Sequence, residues 1–464
     1  MAQITRYTAH NPPTAPEREA TSHQLLRAYA AFVLFAGFAH SLWWNLLGEA
    51  GAVAVLAFTT GASVALWVPL IRRAGLRWRR LPWMALAYVA LALVSVLWSQ
   101  WPGATLLTWA LLAGCTVQAL VIAHTLSWAE ILRALDVALK WVMGLSLAIE
   151  LWVALVRREA LLPNFVDAPA DVDPQLYWVR GNLFEAIIGE RIQGIVGNAN
   201  YLGILCVLAL VVFSIRLATH PPYAAMQIVW LTVTALLFVR SGSATALASF
   251  VGALVVLLMV LTMRRARTSG ERSRRYLLFS GIGVGAVIIV WQLWDRALGM
   301  LGRDDSLTGR NEIWAAVWER AQEHPVLGSG FSSPWVPWDP AFDGWIVDHG
   351  LSVFHAHNMW LDVFMQLGAV GIVLVFGVYA ALTWRGWFFA VDRPRWDLDA
   401  NRPYSPISML VPLVAALLLV QGLTESGPIM LWGWSLAVML SFKMKLAPIV
   451  GVGADLPARE VLAR

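Results

Sequence analysis

Twelve stretches of the chain, near residues 28–48, 52–71, 81–99, 104–123, 138–156, 199–217, 224–240, 244–263, 276–296, 357–382, 407–423 and 428–445, are almost uniformly apolar. Stretches of this kind, about 20 residues when helical, match the roughly 30 Å hydrocarbon core of a bilayer. In hydrocarbon every backbone N–H and C=O has to be satisfied within the protein, which restricts spanning segments of this length to helices. The sequence therefore predicts an all-α fold, a polytopic membrane protein with about twelve transmembrane helices. With 59% of residues hydrophobic and 14% charged, the composition agrees. The glycines of "SGIGVGAVIIV" (280–290) lie inside a span with no strand before them, so they read as helix packing and not as a dinucleotide loop.

Basic residues orient the spans. "RRAGLRWRR" (72–80), "RRARTSGERSRR" (264–275) and "WRGWFFAVDRPRW" (384–396) fall on one side if the spans alternate, and the positive-inside rule makes that side the cytoplasm. The net charge of +5 is thereby explained by topology, and nucleic acid is not an expected partner, whereas membrane lipids are. Tryptophans near span ends, among them Trp43, Trp44, Trp98, Trp101, Trp291, Trp294, Trp432 and Trp434, are expected to anchor the bundle at the headgroup boundary. Cys115 and Cys206 lie within apolar runs and read as core packing. Residues 1–25 lack a signal-peptide pattern and read as a disordered cytoplasmic tail, 26–445 as one transmembrane domain, and 446–464 as a second cytoplasmic tail.

Two segments on the outer side, 157–198 and 297–356, are too long to be simple connectors. In the second, Ile313, Trp314, Val317 and Ala321 recur at helical spacing, Thr308 is a candidate cap, and Pro325, Gly328 and Gly330 end the pattern. This spacing predicts a short amphipathic helix over the mouth of the bundle.

The same map gathers Arg191, Asn198, Asn200, Arg240, Arg310, His355, His357, Asn358 and Glu425 on the outer face from across more than half of the chain. Arg240 stands out, since it follows an apolar span on the side that the positive-inside rule depletes. Either it is neutralised by lipid phosphate or Glu425, or its guanidinium fork forms part of an anion site. Three arginines on one face point to a ligand carrying several negative charges. His357 is the candidate base because imidazole accepts a proton near neutrality, while His355 is expected to point elsewhere. The alternatives are an interfacial histidine bonded to a carbonyl and a His-x-His metal site. The outer acids, including Asp167, Asp171, Asp173, Asp304, Asp305, Asp339, Asp343 and Asp348, show no ligand spacing that supports one, and no metal or cofactor is expected.

Three stretches, "RIQGIVGNANYLG" (191–203), "TGRNEIWAAVWERAQEHPVLGSGF" (308–331) and "HAHNMWLDVFMQLGAVG" (355–371), resemble the O-antigen ligase family, within the superfamily that includes O-antigen polymerases and protein O-oligosaccharyltransferases. The resemblance covers roughly residues 190 to 430. It implies a GT-C-type glycosyltransferase architecture with a large periplasmic loop containing short helices, placed in the bacterial inner membrane. It also implies transfer of a glycan from undecaprenyl pyrophosphate to a lipid A–core acceptor in lipopolysaccharide assembly, at a periplasmic active site. On this resemblance the family histidine corresponds to His357 and the functional arginines to Arg310, Arg240 and Arg191. His357, Arg310 and Arg240 are taken as catalytic, and Arg191, Asn198, Asn200, His355, Asn358 and Glu425 as the expected substrate-binding set.

The chemistry fits these residue types without a metal: a sugar hydroxyl attacks the anomeric carbon with inversion, His357 takes its proton, and arginines neutralise the departing pyrophosphate. One very large outer loop favours a ligase over a polymerase, and a short segment after Lys445 disfavours a protein-glycosylating enzyme. A transporter or flippase for an anionic lipid is the reading from another class. Against it, the two halves show no paired broken-helix repeats.

Overall fold

The computed structural model describes residues 21–75, 77–163, 177–185, 190–300, 304–348, 351–392 and 404–448, without the side chains of 21–22, 73–74, 286–300, 304–309, 348, 351 and 392. Most of both expected tails, Asp167, Asp171 and Asp173, and the side chains of Trp291, Trp294, Asp304, Asp305, Thr308 and Asp348 lie outside the described residues.

The described chain is helical apart from one small hairpin. In order the helices are α1 (Thr21–Phe38), α2 (His40–Ala74), α3 (Trp83–Val94), α4 (Pro102–Thr125), α5 (Trp128–Trp152), α6 (Ala199–Ala218), α7 (Ala224–Ser241), α8 (Ala244–Arg264), α9 (Ser269–Met300), α10 (Asp304–Glu323), α11 (Met359–Trp387), α12 (Leu410–Gln421) and α13 (Leu431–Leu446). The hairpin, β1 (Val347–Asp348) with β2 (Leu351–Ser352), is antiparallel with Val347 opposite Ser352. Among the described residues seven helices are long and apolar enough to cross a membrane: His40–Arg72, Pro102–Thr125, Trp128–Arg157, Ala199–Ala218, Ala224–Ser241, Ala244–Arg264 and Met359–Val391. Trp83–Leu97 and Pro406–Gln421 are shorter apolar helices.

The first expected span, 28–48, is divided differently. α1 stops at Phe38, and its last carbonyls are taken up by the Trp43 indole on Ala36, the His40 ring on Gly37 and the Tyr201 hydroxyl on Phe38. The chain re-enters helix at His40 and breaks again at Gly48, whose φ of 69° is available to glycine. The tryptophans also differ from expectation. Trp101, Trp432 and Trp434 are buried, and two of their indole N–H groups find internal acceptors, Trp101 on the Gly330 carbonyl and Trp434 on Thr116 Oγ1. An indole whose N–H is satisfied inside the protein gains by burying its whole ring, so these residues are core and not interface anchors.

The core centres on α6, whose residues Leu202 to Ala209 are all buried where the helix packs against α5, α7, α8 and α12. α4 packs on α13, α1 on α5, and α11 on α3, α10 and α12. Both cysteines are free and buried. α10 buries Ile313, Val317 and Ala321 in a second apolar cluster with Trp101, Trp335, Phe342 and Met365, the side that the spacing predicts. It starts at Asp304, ahead of Thr308, and ends at Glu323 before Pro325.

One feature organises the end of the bundle that carries His357. α11 is interrupted at Gly368 (φ 59°, ψ −159°), and the segment 325–330 lies along the interruption as a strap. The N–H groups of Ser329 and Gly330 donate to the carbonyls of Met365 and Gln366, both at 3.0 Å. In return the N–H groups of Ala369 and Val370 donate to the carbonyls of Pro325 and Val326, at 2.9 and 3.2 Å. The strap's other edge is pinned by Gln100 N–H on the Ser329 carbonyl (2.9 Å) and by Phe331 N–H on Ser95 Oγ (3.1 Å). Backbones approach so closely that a Cβ at Gly328 would lie 2.3 Å from the Gln366 carbonyl, and one at Gly368 2.3 Å from Val326 C.

Gly368→Ala is therefore expected to lower thermal stability by more than the ~1–2 kcal/mol of a left-handed alanine, because the contact is with backbone that cannot turn aside. Gly281→Ala, with nothing within 4 Å of its Cβ, serves as the control and should be neutral. Thermal unfolding of the two purified variants in detergent checks the pair, and equal midpoints would show that the strap does not constrain the helix.

Candidate active site

Five segments far apart in the chain meet at Glu425, in the turn after α12. Its Oε1 accepts from Arg310 Nη2 of α10 at 2.9 Å, and its Oε2 faces Nδ1 of His357 at 3.0 Å. Asn200, in the first turn of α6, reaches Oε1 with Nδ2 at 3.4 Å and accepts from Arg191 Nη2 at 2.6 Å and from Ser243 Oγ at 2.9 Å. Arg191 Nε also donates to the Ser241 carbonyl at 2.8 Å, and Thr245 of α8 meets Thr424 at 3.0 Å. Arg191, Asn200, Arg310, His357 and Glu425 thus form one connected polar cluster.

Local structure aims the histidine. Asn358 caps α11, its Oδ1 accepting from Trp360 and Leu361 N–H, which ends the loop one residue after His357. His357 itself sits in the left-handed region at φ 49°, uncommon for a residue with a Cβ. Its N–H donates to His355 Nδ1 at 3.1 Å, and the two rings meet edge to face with centroids 4.0 Å apart. His355 is thus a neighbour that holds the backbone of His357. With His355 Nδ1 accepting, enclosure by protein, aided by the nearby Arg310 charge, pushes the His355 imidazole down to about 3 and keeps it neutral. Glu425 is nearly buried, which by itself raises a carboxyl. The hydrogen bond from His357 and the guanidinium of Arg310 outweigh burial and hold it well below the usual carboxylate range, an ionised carboxylate throughout the neutral range.

A carboxylate on Nδ1 requires that nitrogen to carry the proton, which leaves Nε2 as the acceptor. The His357 side chain keeps about a quarter of its surface exposed. Arg310 spends one guanidinium donor on Glu425, and among the described residues its other donors have no protein acceptor. The cluster therefore offers a base with a fixed tautomer beside a cation whose fork can meet an oxyanion.

The remaining candidates are placed otherwise. Asn198 caps α6 through Tyr201 N–H, and its side chain serves the helix start. Arg240 is buried and directs Nη1 and Nη2 to the carbonyls of Glu185 and Asn182, in the segment before α6. Its bonds to these carbonyls hold that segment down, and Glu425 is not its partner. His355, His357 and Glu425 carry ligand atoms within 4.8 Å of one another, the one such metal-compatible group among the described residues. The ligand set resembles a two-histidine, one-carboxylate zinc site. However, Glu425 Oε1 already faces a guanidinium, and His355 Nδ1 and His357 Nδ1 are both engaged within the protein.

Behind the histidines lies a network that the sequence pattern did not single out. Asp362 Oδ1 accepts from Trp335 Nε1 at 3.0 Å and from Gln366 Nε2 at 2.6 Å, and Gln366 Oε1 accepts from Ser332 N–H at 3.0 Å. An acid one turn into an apolar span, with an amide four residues on, was the available signal.

The family described as O-antigen ligase matches residues 227–376. Exopolysaccharide production protein ExoQ of Rhizobium meliloti (strain 1021) is 27% identical over 179 residues, 36% of this chain and 38% of that protein. O-antigen ligase of Pseudomonas aeruginosa is 24% identical over 162 residues, 35% of each chain. The chain thus matches little more than a third of the length of either relative. Glu425, Asn200 and Arg191 fall outside the family match, whereas Arg240, Arg310, the two histidines and the broken first half of α11 fall within it. The stretch that carries the histidine pair and the strap lies within the residues that match the O-antigen ligase family.

Proposed function

We propose that the chain is a multi-pass inner-membrane glycosyltransferase that moves a glycan from undecaprenyl pyrophosphate to a lipid A–core acceptor on the periplasmic face. In this reading α1, α3, α9, α12 and α13 join the seven longer apolar helices to complete twelve spans. The observation that carries the reading is Glu425 held between His357 Nδ1 and Arg310, 3.0 and 2.9 Å away.

The acceptor hydroxyl attacks the anomeric carbon of the donor sugar, and the bond from that carbon to the pyrophosphate oxygen breaks with inversion. The hydroxyl proton passes to His357 Nε2. The imidazolium that forms is stabilised by Glu425 through Nδ1–H, as in other carboxylate–histidine pairs. Negative charge grows on the departing pyrophosphate, where the unspent donors of Arg310 supply electrostatic stabilisation. Arg191 holds Asn200 and through it the carboxylate, and Arg240 positions the segment that carries Arg191. Asn358 and Asn198 act as caps that fix the two helix starts.

A second reading keeps the same chemistry and changes the acceptor to another lipid-linked glycan. It is favoured by the match to a protein named for exopolysaccharide production. Purified protein in liposomes with lipid-linked donor, no ATP, and either lipid A–core or a second lipid-linked glycan separates the two. Transfer to lipid A–core is expected. Chain lengthening without ligation would replace the first reading by the second, and donor translocation with neither product would make the chain a transporter.

In that assay His357→Ala should lose about 10²–10⁴ in rate while still binding donor lipid. Glu425→Gln, which keeps the shape and releases the tautomer, should lose about 10² or more. His355→Asn, which keeps an acceptor for the His357 N–H, should retain more activity than His355→Ala. Normal turnover of His357→Ala would remove the base assignment.

The charge on the leaving group is expected to fall on arginine and not on an ion. Arg310→Lys should reduce turnover by about tenfold or more although charge is kept, since a lysine cannot replace a fork that serves Glu425 and an oxyanion together. Excess EDTA should leave the wild-type rate unchanged. Loss of activity on chelation, restored by one divalent ion, would transfer the role to a metal on His355, His357 and Glu425.

A further inference from the structure

At the far end of α11 from His357, two of the basic stretches that orient the chain come together. Arg79 and Arg80, in the short turn before α3, face Arg385 at the end of α11 and Lys445 at the end of α13 across a cavity of about 520 Å³. Its remaining wall is largely apolar, with Trp384 and Phe388 prominent, and Trp384 stands mostly exposed beside it.

Topology alone explains why cations lie on this side but not why those from sequence positions some 300 residues apart share one concavity. Service to helix ends explains half of them: Arg80 Nη1 bonds the Leu446 carbonyl at 2.7 Å, and Lys445 Nζ bonds the Leu81 carbonyl. It does not explain Arg79 and Arg385, whose side chains form no hydrogen bond or ion pair among the described residues. No carboxylate among the described residues pairs with any of the four or lines the cavity. Like charges gathered with no acid beside them among the described residues repel one another, and a bound anion would relieve that repulsion.

We propose that this cavity binds an anionic phospholipid, its phosphate held by Arg79 and Arg385 and the start of its chains lying against Trp384 and Phe388. Basic pockets between helices on the positive side of a membrane suit such headgroups, and exposed indole at the same level suits the boundary between headgroup and chain. A free phosphate would use the same arginines but would gain nothing from the aromatic wall. The site is separate from the Glu425 cluster and does not depend on its chemistry.

Native mass spectrometry of the full-length protein in detergent tests the assignment, with phosphatidylglycerol, phosphatidylcholine or inorganic phosphate added. Wild type should retain phosphatidylglycerol in preference to phosphatidylcholine and should not release it to millimolar inorganic phosphate. Arg79→Gln with Arg385→Gln should lower phosphatidylglycerol retention by about tenfold or more, and the double lysine variant should stay close to wild type. Three outcomes would overturn the proposal: equal retention of the two lipids by wild type, displacement by inorganic phosphate, or undiminished retention by the glutamine variant. The first two are read on wild type and hold even if a variant fails to fold.

Discussion

A helix cannot be broken in an apolar setting unless the freed backbone groups find partners, and the half of this structure that carries His357 is arranged around one such break. At Gly368 four backbone hydrogen bonds pass between α11 and the strap 325–330, which stands in for a missing turn of helix. The strap directly follows α10, and the first half of α11 directly follows His357. Locking strap to helix therefore fixes Arg310 relative to His357, residues that loop sequence alone would leave free to drift. The glycines at 328 and 368 are required by the closeness of the two backbones, and each would clash with the other's segment if it carried a side chain.

Glu425 then acts as the common acceptor. A buried carboxylate is costly unless its charge is matched, and here a histidine and an arginine from different elements match it on separate oxygens. The same pairing that makes the acid tolerable fixes the histidine tautomer. Stability and the proposed proton transfer thus draw on one contact, and the left-handed backbone at His357 is held in place by the neighbouring His355.

Much of this was legible in the sequence, for identifiable reasons. Apolar length marked the seven helices long enough to cross a membrane, and the 3.6-residue recurrence of Ile313, Val317 and Ala321 marked the buried side of α10, because both are local properties. The gathering of Arg191, Asn200, Arg310, His357 and Glu425 followed from counting spans. What the sequence withheld was pairing. Arg240 and Arg310 look alike as lone outer arginines, yet one is consumed by the carbonyls of Asn182 and Glu185 and the other meets Glu425. Asn198 and Asn358 read as polar site residues, although an asparagine before an apolar helix is equally a cap. Trp101 and Trp434 looked interfacial because position along a span does not reveal whether an indole N–H has an acceptor inside.

The break in α11 also bears on how the protein is assembled. The strap is synthesised before α11, but its partner groups exist only once α11 is present, and a helix entering a bilayer with an open gap would expose unpaired amides to lipid. α11 is therefore expected to insert as a continuous helix and to open at Gly368 only when the strap docks. The alignment of His357 with Arg310 would then follow insertion, and the cluster around Glu425 would be complete only once the strap has docked.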